Sequence, residues 1–280
     1  MDKFNSINIS DEEFLLIQSL IYNNFGINLT DKKRYLVNHR LQKLLNETNF
    51  KSFKEYYNYL LRDKSLNALS NLVNKLTTNY TFFNREKSHF DFFIQVALPE
   101  IVNLLKGKNS KDLRIWCAGC ATGEEAYMIT ILMFEFFGEK YKEWDAGLLA
   151  TDICSDVLKV AQIGIYSEDK MKLIPKNLRC KYFNNLGNGL WSVKDEIKKE
   201  ITFRRFNLMH KEFPFKRPFH IIFCRNVMIY FDQPTRDKLV KNFYTYTEPE
   251  GYLFIGHSES LNLSQSMYKY VKKSIYKKVV

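Results

Sequence analysis

From residue 112 onward, short apolar runs alternate with segments of helical periodicity, and this alternation restricts the fold more than any other feature of the chain. LRIWCA (113–118), GLLATD (147–152), ITFRRF (201–206), HIIFC (220–224) and GYLFIG (251–256) have the length of strands. Helical patterns over 122–137, 155–163 and 233–246 separate them. Strand and helix in alternation imply a mostly parallel sheet covered on both faces, which is why the strands read as continuous apolar runs. Residues 268–279 are expected to close the sheet as an antiparallel hairpin.

One stretch breaks the pattern. In 182-YFNNLGNGLWSV-193, Gly187-Asn188-Gly189 stands between apolar and aromatic residues and signals a tight hairpin, so 170–200 is expected to form a small inserted antiparallel β subdomain. The first ~80 residues read as helices. Ser10 and Glu13 make a capping box, Phe14, Ile17, Ile21 and Phe25 recur at helical spacing, and Gly26 stands at the C-cap. Further helices are expected over 31–45, 52–61 and 65–76, the first exposing Lys32, His39 and Lys43 with Arg40 at their flank. The expected division is a helical domain over 1–80 and an α/β domain over 81–280.

The chain has 280 residues, enough for such a core, and no apolar run near the roughly 20 residues of a membrane span. Its start, MDKFNSINISDEEF, lacks the basic-then-apolar order of a secretory signal. Five cysteines do not make a disulfide framework, and a cytoplasmic protein with no membrane insertion is expected. The net charge of +11 fits an acidic partner, and it fits equally a general lysine bias, because the lysines run through the whole chain.

In an open parallel sheet, ligands bind beyond the carboxyl ends of the strands. Those ends here carry 117-CAGCATGEE-125, Thr151-Asp152, Asn207-Leu208 and 224-CRNVMIYFD-232. Gly119 lets the backbone approach a ligand, and Asp152 is the acidic type that holds ribose hydroxyls. Neither the dinucleotide fingerprint nor the nucleoside-triphosphate loop is present. Glu124 and Glu125 disfavour phosphates and suit a cationic ligand, so the pattern favours S-adenosylmethionine. The C-x-x-C of Cys117 and Cys120 has no second pair to complete a zinc site, the histidines lack metal spacing, and no metal is expected. Of the histidines, His257 has the best claim to lie near the site. Cys117, Cys120, Cys154 and Cys224 all fall at strand ends, which predicts a cofactor crevice sensitive to thiol reagents.

The segments 76-LTTNYTFFNRE-86, 114-RIWCAGCATGEEAY-127, 149-LATDI-153, 222-IFCRNVMIYFD-232 and 251-GYLFIGHSES-260 together resemble the CheR family of chemotaxis receptor methyltransferases. The resemblance implies a Rossmann-like S-adenosylmethionine-dependent methyltransferase sheet preceded by a helical domain. It implies methylation of glutamate side chains on the acidic cytoplasmic helical bundles of chemoreceptors, and with it signal transduction and receptor adaptation. By position it implies cofactor binding at Asn79, Thr81, Arg85, Glu125, Asp152, Asn207, Leu208, Asn226 and Val227. Arg85 would pair with the cofactor carboxylate. Tyr230 and Arg225 are the expected catalytic pair, with an ion-pair role also open to Arg225, and Arg40 and Lys43 are expected to contact the receptor.

Two departures from the family pattern stand out. Asn84 separates Phe82-Phe83 from Arg85, and Asn46 stands where a basic residue is expected. The short NNLGNGL turn implies receptor binding without a peptide tether, and the protein is expected to act as a monomer. The rival readings are a basic nucleic-acid methyltransferase and a non-catalytic binding module. The first would carry an Asn/Asp-Pro-Pro-aromatic signature after the fourth strand, where this chain has Asn226-Val-Met-Ile-Tyr230; intact Arg85, Asp152, Asn226 and Tyr230 argue against the second.

Overall fold

The computed structural model describes residues 8–48, 50–63, 67–77, 79–262 and 267–279, which form two compact units. One comprises Met1–Asn79 with Tyr230–Asp232, the other Tyr80–Ile229 with Gln233–Val280.

In the helical unit, α1 (Asp11–Phe25) starts at Ser10, whose hydroxyl accepts from the Glu13 N–H while Glu13 reaches back to the Ser10 N–H. It stops where Gly26 turns left-handed at φ +67°. Phe14, Ile17, Ile21 and Phe25 form its buried stripe. A single turn over Asp31–Lys33 leads into α2 (Arg34–Thr48), which therefore begins later than the expected residue 31. Then come α3 (Phe53–Arg62) and α4 (Asn67–Leu76); the expected start of the last, at residue 65, lies outside the described residues. Arg40 on α2 donates to the carbonyls of Lys75, Leu76 and Thr77 at 3.2, 2.7 and 3.2 Å. It thereby satisfies the open end of α4, where a cation also suits the helix dipole. Residues 230–232 belong to this unit through an Ile27–Phe231 bridge and an Asn28 N–H to Tyr230 carbonyl bond of 2.8 Å.

The second unit opens with α5 (Lys87–Phe92), a π turn over Phe93–Ala97, and α6 (Leu98–Gly107). Next come β1 (Ile115–Ala118), α7 (Glu124–Phe137), β2 (Leu148–Asp152), α8 (Ser155–Ile163) and β3 (Ile165–Ser167). They are followed by α9 (Glu168–Met171), α10 (Lys176–Tyr182), β4 (Phe183–Gly187), β5 (Leu190–Val193), α11 (Asp195–Lys198) and β6 (Ile201–Arg205). The chain ends with β7 (Phe219–Cys224), α12 (Gln233–Thr245), β8 (Thr247–Ile255), β9 (Tyr268–Lys272) and β10 (Ile275–Lys278).

The main sheet has the order β6-β2-β1-β7-β8-β10-β9. Its first five strands are parallel, and β10 and β9 join antiparallel. Every residue of β1 and β7 is buried, as a sheet covered on both faces requires. The chain builds outward from β1 to β2 and β6, then returns to lay β7 on the other side of β1. The reversal of strand order therefore falls between β1 and β7. Trp116 anchors one face of β1 among Phe206, Phe213, Phe215, Phe219 and Phe243, and its indole N–H finds the Thr151 hydroxyl at 2.9 Å.

The small antiparallel sheet has three strands, β3-β5-β4. Its β3 begins at Ile165, ahead of the expected insert boundary at residue 170. A three-residue strand directly after Gly164 carries too little periodicity to be read from sequence.

His220 sits buried in β7, where its Nδ1 accepts from the Arg114 N–H at 3.0 Å. That bond requires a neutral ring. Burial, with nearby Arg114, pushes its pKa down to about 4. The unfolded imidazole titrates near ~6.5. As pH falls from there toward 4, the unfolded chain binds a proton that the folded chain refuses, so stability drops across this window. A His220→Gln variant is expected to lose roughly 3 kcal/mol less than the parent between these pH values, read from denaturant midpoints. Parallel pH profiles would contradict the assignment.

Candidate functional site

The carboxyl end of β1 opens into a loop that only small residues permit. Gly119 has φ +82°, and a Cβ there would stand 2.4 Å from Val227 Cγ2. Gly123, at φ +95°, leads into α7, and its Cβ would meet Ala161 Cβ at 2.9 Å. The loop is fastened to β2. The N–H groups of Gly119 and Cys120 share the Thr151 carbonyl at 2.7 and 2.9 Å, and Ala121 N–H donates to Asp152 Oδ2 at 2.9 Å. Asp152 Oδ1 accepts from Cys154 N–H at 2.9 Å. Burial raises the Asp152 pKa against the pull of these N–H donors. Its carboxylate is thus fixed in direction at the strand end, with lone pairs beyond those in use.

Arg225 stands just past β7 with its side chain 1% exposed. It pairs with Glu125 at the start of α7, with Glu86 at 3.2 Å, and with the Arg85 carbonyl. Phe90 covers it, ring centroid 5.2 Å from Cζ. Of the two roles open to Arg225, the structure shows the ion pair, and the expected direct substrate contact is corrected accordingly. A side chain so enclosed acts by holding Glu125 and Glu86 in place. Glu125 Oε1 also accepts from the Cys117 thiol at 3.3 Å.

Glu86 and Glu259 were missed in the sequence. Glu86 accepts from Asn226 Nδ2 at 3.2 Å and His257 N–H at 3.1 Å. Burial opposes its ionisation, but Arg225 and the donated N–H groups win and hold its pKa below the usual carboxylate value. Glu259, buried, accepts from the N–H groups of Asn226 at 3.0 Å, Ile229 at 3.1 Å and Gly256. Burial raises its pKa against these same donors. Backbone N–H groups converging on an anion form a nest, and here the anion is the protein's own. Asn226 is held at φ +60°, and Gly256 must be glycine because a Cβ would lie 2.5 Å from Asn226 Nδ2. The signal that could have found Glu259 is its place in GHSES, directly after the fifth strand.

Gly119, Glu125, Asp152, Asn226 and Val227 thus cluster at the ends of β1, β2 and β7. Asn207 and Leu208 follow β6, and the Asn207 side-chain Oδ1 accepts from Met209 N–H at 3.0 Å. Arg85 is partly exposed, donating to the Tyr80 carbonyl at 2.7 Å, and Thr81 lies on the same segment. Asn84 adopts φ +60° and donates to the Leu173 carbonyl at 2.6 Å, while Phe83 beside it is fully buried against Tyr166 and Phe183. Asparagine is among the residues that most readily adopt such a left-handed turn. Asn79, Arg40, Lys43 and Tyr230 belong to the helical unit. Lys43 is exposed, whereas Arg40 is committed to the end of α4, which revises its expected contact with a partner.

Further expectations change. Glu124, read with Glu125 as suited to a cationic ligand, is fully buried and taken up by Lys170 and by the Thr122 hydroxyl at 2.6 Å. Glu86, His89 and His257 bring three potential metal-ligand atoms within 4.8 Å of one another. Arg225 already neutralises that carboxylate, and burial lowers the His89 pKa to about 3, with Arg225 adding to the effect. The four crevice thiols are all buried, and burial pushes each of their pKa values up. Cys154 is also engaged, accepting from Val157 N–H as the cap of α8. Such thiols are poor nucleophiles, so the expected reagent sensitivity does not follow.

Two family models match the chain. Residues 12–77 match the CheR methyltransferase all-alpha domain and residues 79–277 the CheR methyltransferase SAM binding domain. The chain is 41% identical over 278 residues to a chemotaxis protein methyltransferase of Borreliella burgdorferi, covering 99% of this chain and 98% of that one. It is 34% identical to chemotaxis protein methyltransferase 2 of Vibrio cholerae, covering 94% and 91%, and 34% identical to the Escherichia coli chemotaxis protein methyltransferase, covering 96% and 91%.

Cys180, on α10, is the one exposed cysteine. A chromogenic disulfide reagent is expected to titrate one thiol of the native protein quickly and the other four only on denaturation. Two or more fast thiols would show that the crevice opens.

Proposed function

The chain belongs to the CheR methyltransferase family, and from that premise we propose that it esterifies glutamate side chains on the cytoplasmic helices of chemoreceptors. S-adenosylmethionine is the cofactor, and when bound it supplies an electrophilic methyl group on a sulfonium. The site suits it: Asp152, Glu125 and Glu86 against Arg225 leave an excess of negative charge for a cationic ligand, beside a β1 loop that Gly119 lets pack against Val227.

The observation that carries the reading is the order of polar groups along the sheet edge. Asn207 and Leu208 follow β6, Asp152 ends β2, Gly119 follows β1 and Asn226 follows β7, and these strands are neighbours in that order. The adenine is assigned to β6, the ribose hydroxyls to Asp152, and the methionyl end to β1 and β7. Arg85 and Thr81 would serve the carboxylate end, with Asn79 on the preceding segment.

The reaction demands little proton chemistry. A glutamate side chain has a reference pKa of about 4.3, so the nucleophile is already ionised at neutral pH. The work left to the protein is orientation and exclusion of water, worth up to roughly 7–11 kcal/mol of barrier where alignment is good. Tyr230, four residues along the chain from Asn226, is the proposed hydroxyl donor to the substrate carboxylate. Its chemistry lets one oxygen be held while the other attacks.

The test is incubation with methyl-labelled S-adenosylmethionine and receptor-bearing membranes, followed by mild alkali. Release of the label as methanol supports a glutamyl ester; label fixed to protein or found in RNA overturns the proposal. The exposed cation Lys43 is assigned to the acidic receptor surface. Lys43→Glu is expected to raise the receptor KM several-fold at low salt with kcat unchanged, and the difference should shrink as salt shortens the ~10 Å screening length of 0.1 M solution. An unchanged KM would remove Lys43 from the interface.

A further inference from the structure

We propose that Glu86 is a positioning residue that fixes which way round the Asn226 amide faces. Asn226 then presents its carbonyl oxygen, and not its amide hydrogens, to the amino group of bound S-adenosylmethionine. The inference rests on the cofactor layout proposed above and assigns one of its contacts.

An amide reads ligands in opposite ways according to its orientation, and only its surroundings decide the orientation. An ionised carboxylate accepts and cannot donate. The Asn226 atom 3.2 Å from Glu86 Oε1 is therefore the amide nitrogen. Glu86 is kept in the ionised form by Arg225 at 3.2 Å and by the His257 N–H at 3.1 Å. The backbone has no freedom to compensate. Asn226 sits at φ +60° with its N–H given to Glu259, and Gly256 packs too closely for the loop to shift toward it.

With the nitrogen turned to Glu86, the carbonyl oxygen faces away from the carboxylate on a partly exposed side chain. None of the described groups donates to it. Val227, the next residue, abuts Gly119. Asn226 therefore lies on the β7 side of the glycine loop, away from Asp152 and its ribose. At the amino-acid end of the cofactor, the ammonium has hydrogens to donate, whereas the carboxylate and the sulfonium have none. An acceptor at this place selects the ammonium. The flipped amide would select the carboxylate, so Glu86 decides which end of the methionyl group Asn226 reads.

The experiment is equilibrium binding to the full chain by calorimetry, using S-adenosylhomocysteine and its analogue lacking the amino group. The parent protein is expected to bind the analogue about 10- to 100-fold more weakly, the range for a hydrogen bond to a charged group. Asn226→Ala should reduce that ratio to about threefold or less. Glu86→Gln should reduce the ratio too, while affinity for the deaminated analogue stays within about threefold of the parent. Glu86→Asp, which keeps the charge but withdraws the oxygen, is the second variant should the first fail to fold. Equal affinity of the parent for both ligands overturns the inference, as does a Glu86 variant that weakens both ligands alike, the mark of a merely structural residue. If S-adenosylhomocysteine itself does not bind, the cofactor layout fails and this inference with it. A lost ratio with intact binding leaves the function standing and defeats only the Asn226 assignment.

Discussion

A buried guanidinium shared between two carboxylates is the interaction on which the rest of the site depends. Arg225 joins the end of β7 to the first turn of α7 through Glu125 and to the residue before α5 through Glu86. Taking these charges out of water is costly, and the arrangement holds because both terminal guanidinium nitrogens find partners, although Nε is buried without one. Removing one member of such a set costs about 3–5 kcal/mol, since the remainder is left uncompensated in a poorly solvated place. The net stabilisation is smaller than that figure. What the knot supplies is a fixed relation between segments far apart in the chain, and the polar groups offered to a ligand inherit that fixity.

Glu259 does for the backbone what Arg225 does for the side chains. The N–H groups of Asn226 and Ile229 after β7, and of Gly256 after β8, would otherwise turn toward solvent or toward any anionic ligand. Turned inward on Glu259, those donors are spent, and the loops leave their side chains to do the reading. This fits a site for a cation-bearing cofactor and contrasts with phosphate loops, where the N–H groups themselves point at the ligand.

The alternation of strand and helix was legible because a parallel sheet buries both faces and writes that burial as continuous apolar runs. The gathering of Gly119, Asp152 and Asn226 at the ends of β1, β2 and β7 was legible for a related reason, since neighbouring parallel strands bring their carboxyl ends together. Glu86, Glu259 and the capping role of Arg40 were not legible. Each depends on a partner set by tertiary packing, such as the meeting of Glu86 with Arg225 or of Arg40 with the end of α4. Glu124 misled because a carboxylate beside glycines looks ligand-facing, whereas its partner Lys170 comes from a different element. The short β3 escaped because three residues carry no usable period.

The bridge between Ile27 and Phe231 bears on how the protein is made. Residues 230–232 complete the unit formed by the first 79 residues, yet they are translated only after most of the sheet. At about 5–20 residues per second, the helices wait on the order of ten seconds or more on the ribosome before their last segment emerges. During that interval the backbone groups of Ile27 and Asn28 lack their native partners. The helical unit is thus begun before the sheet and finished only after β7, and its completion reports that the chain has passed through that strand.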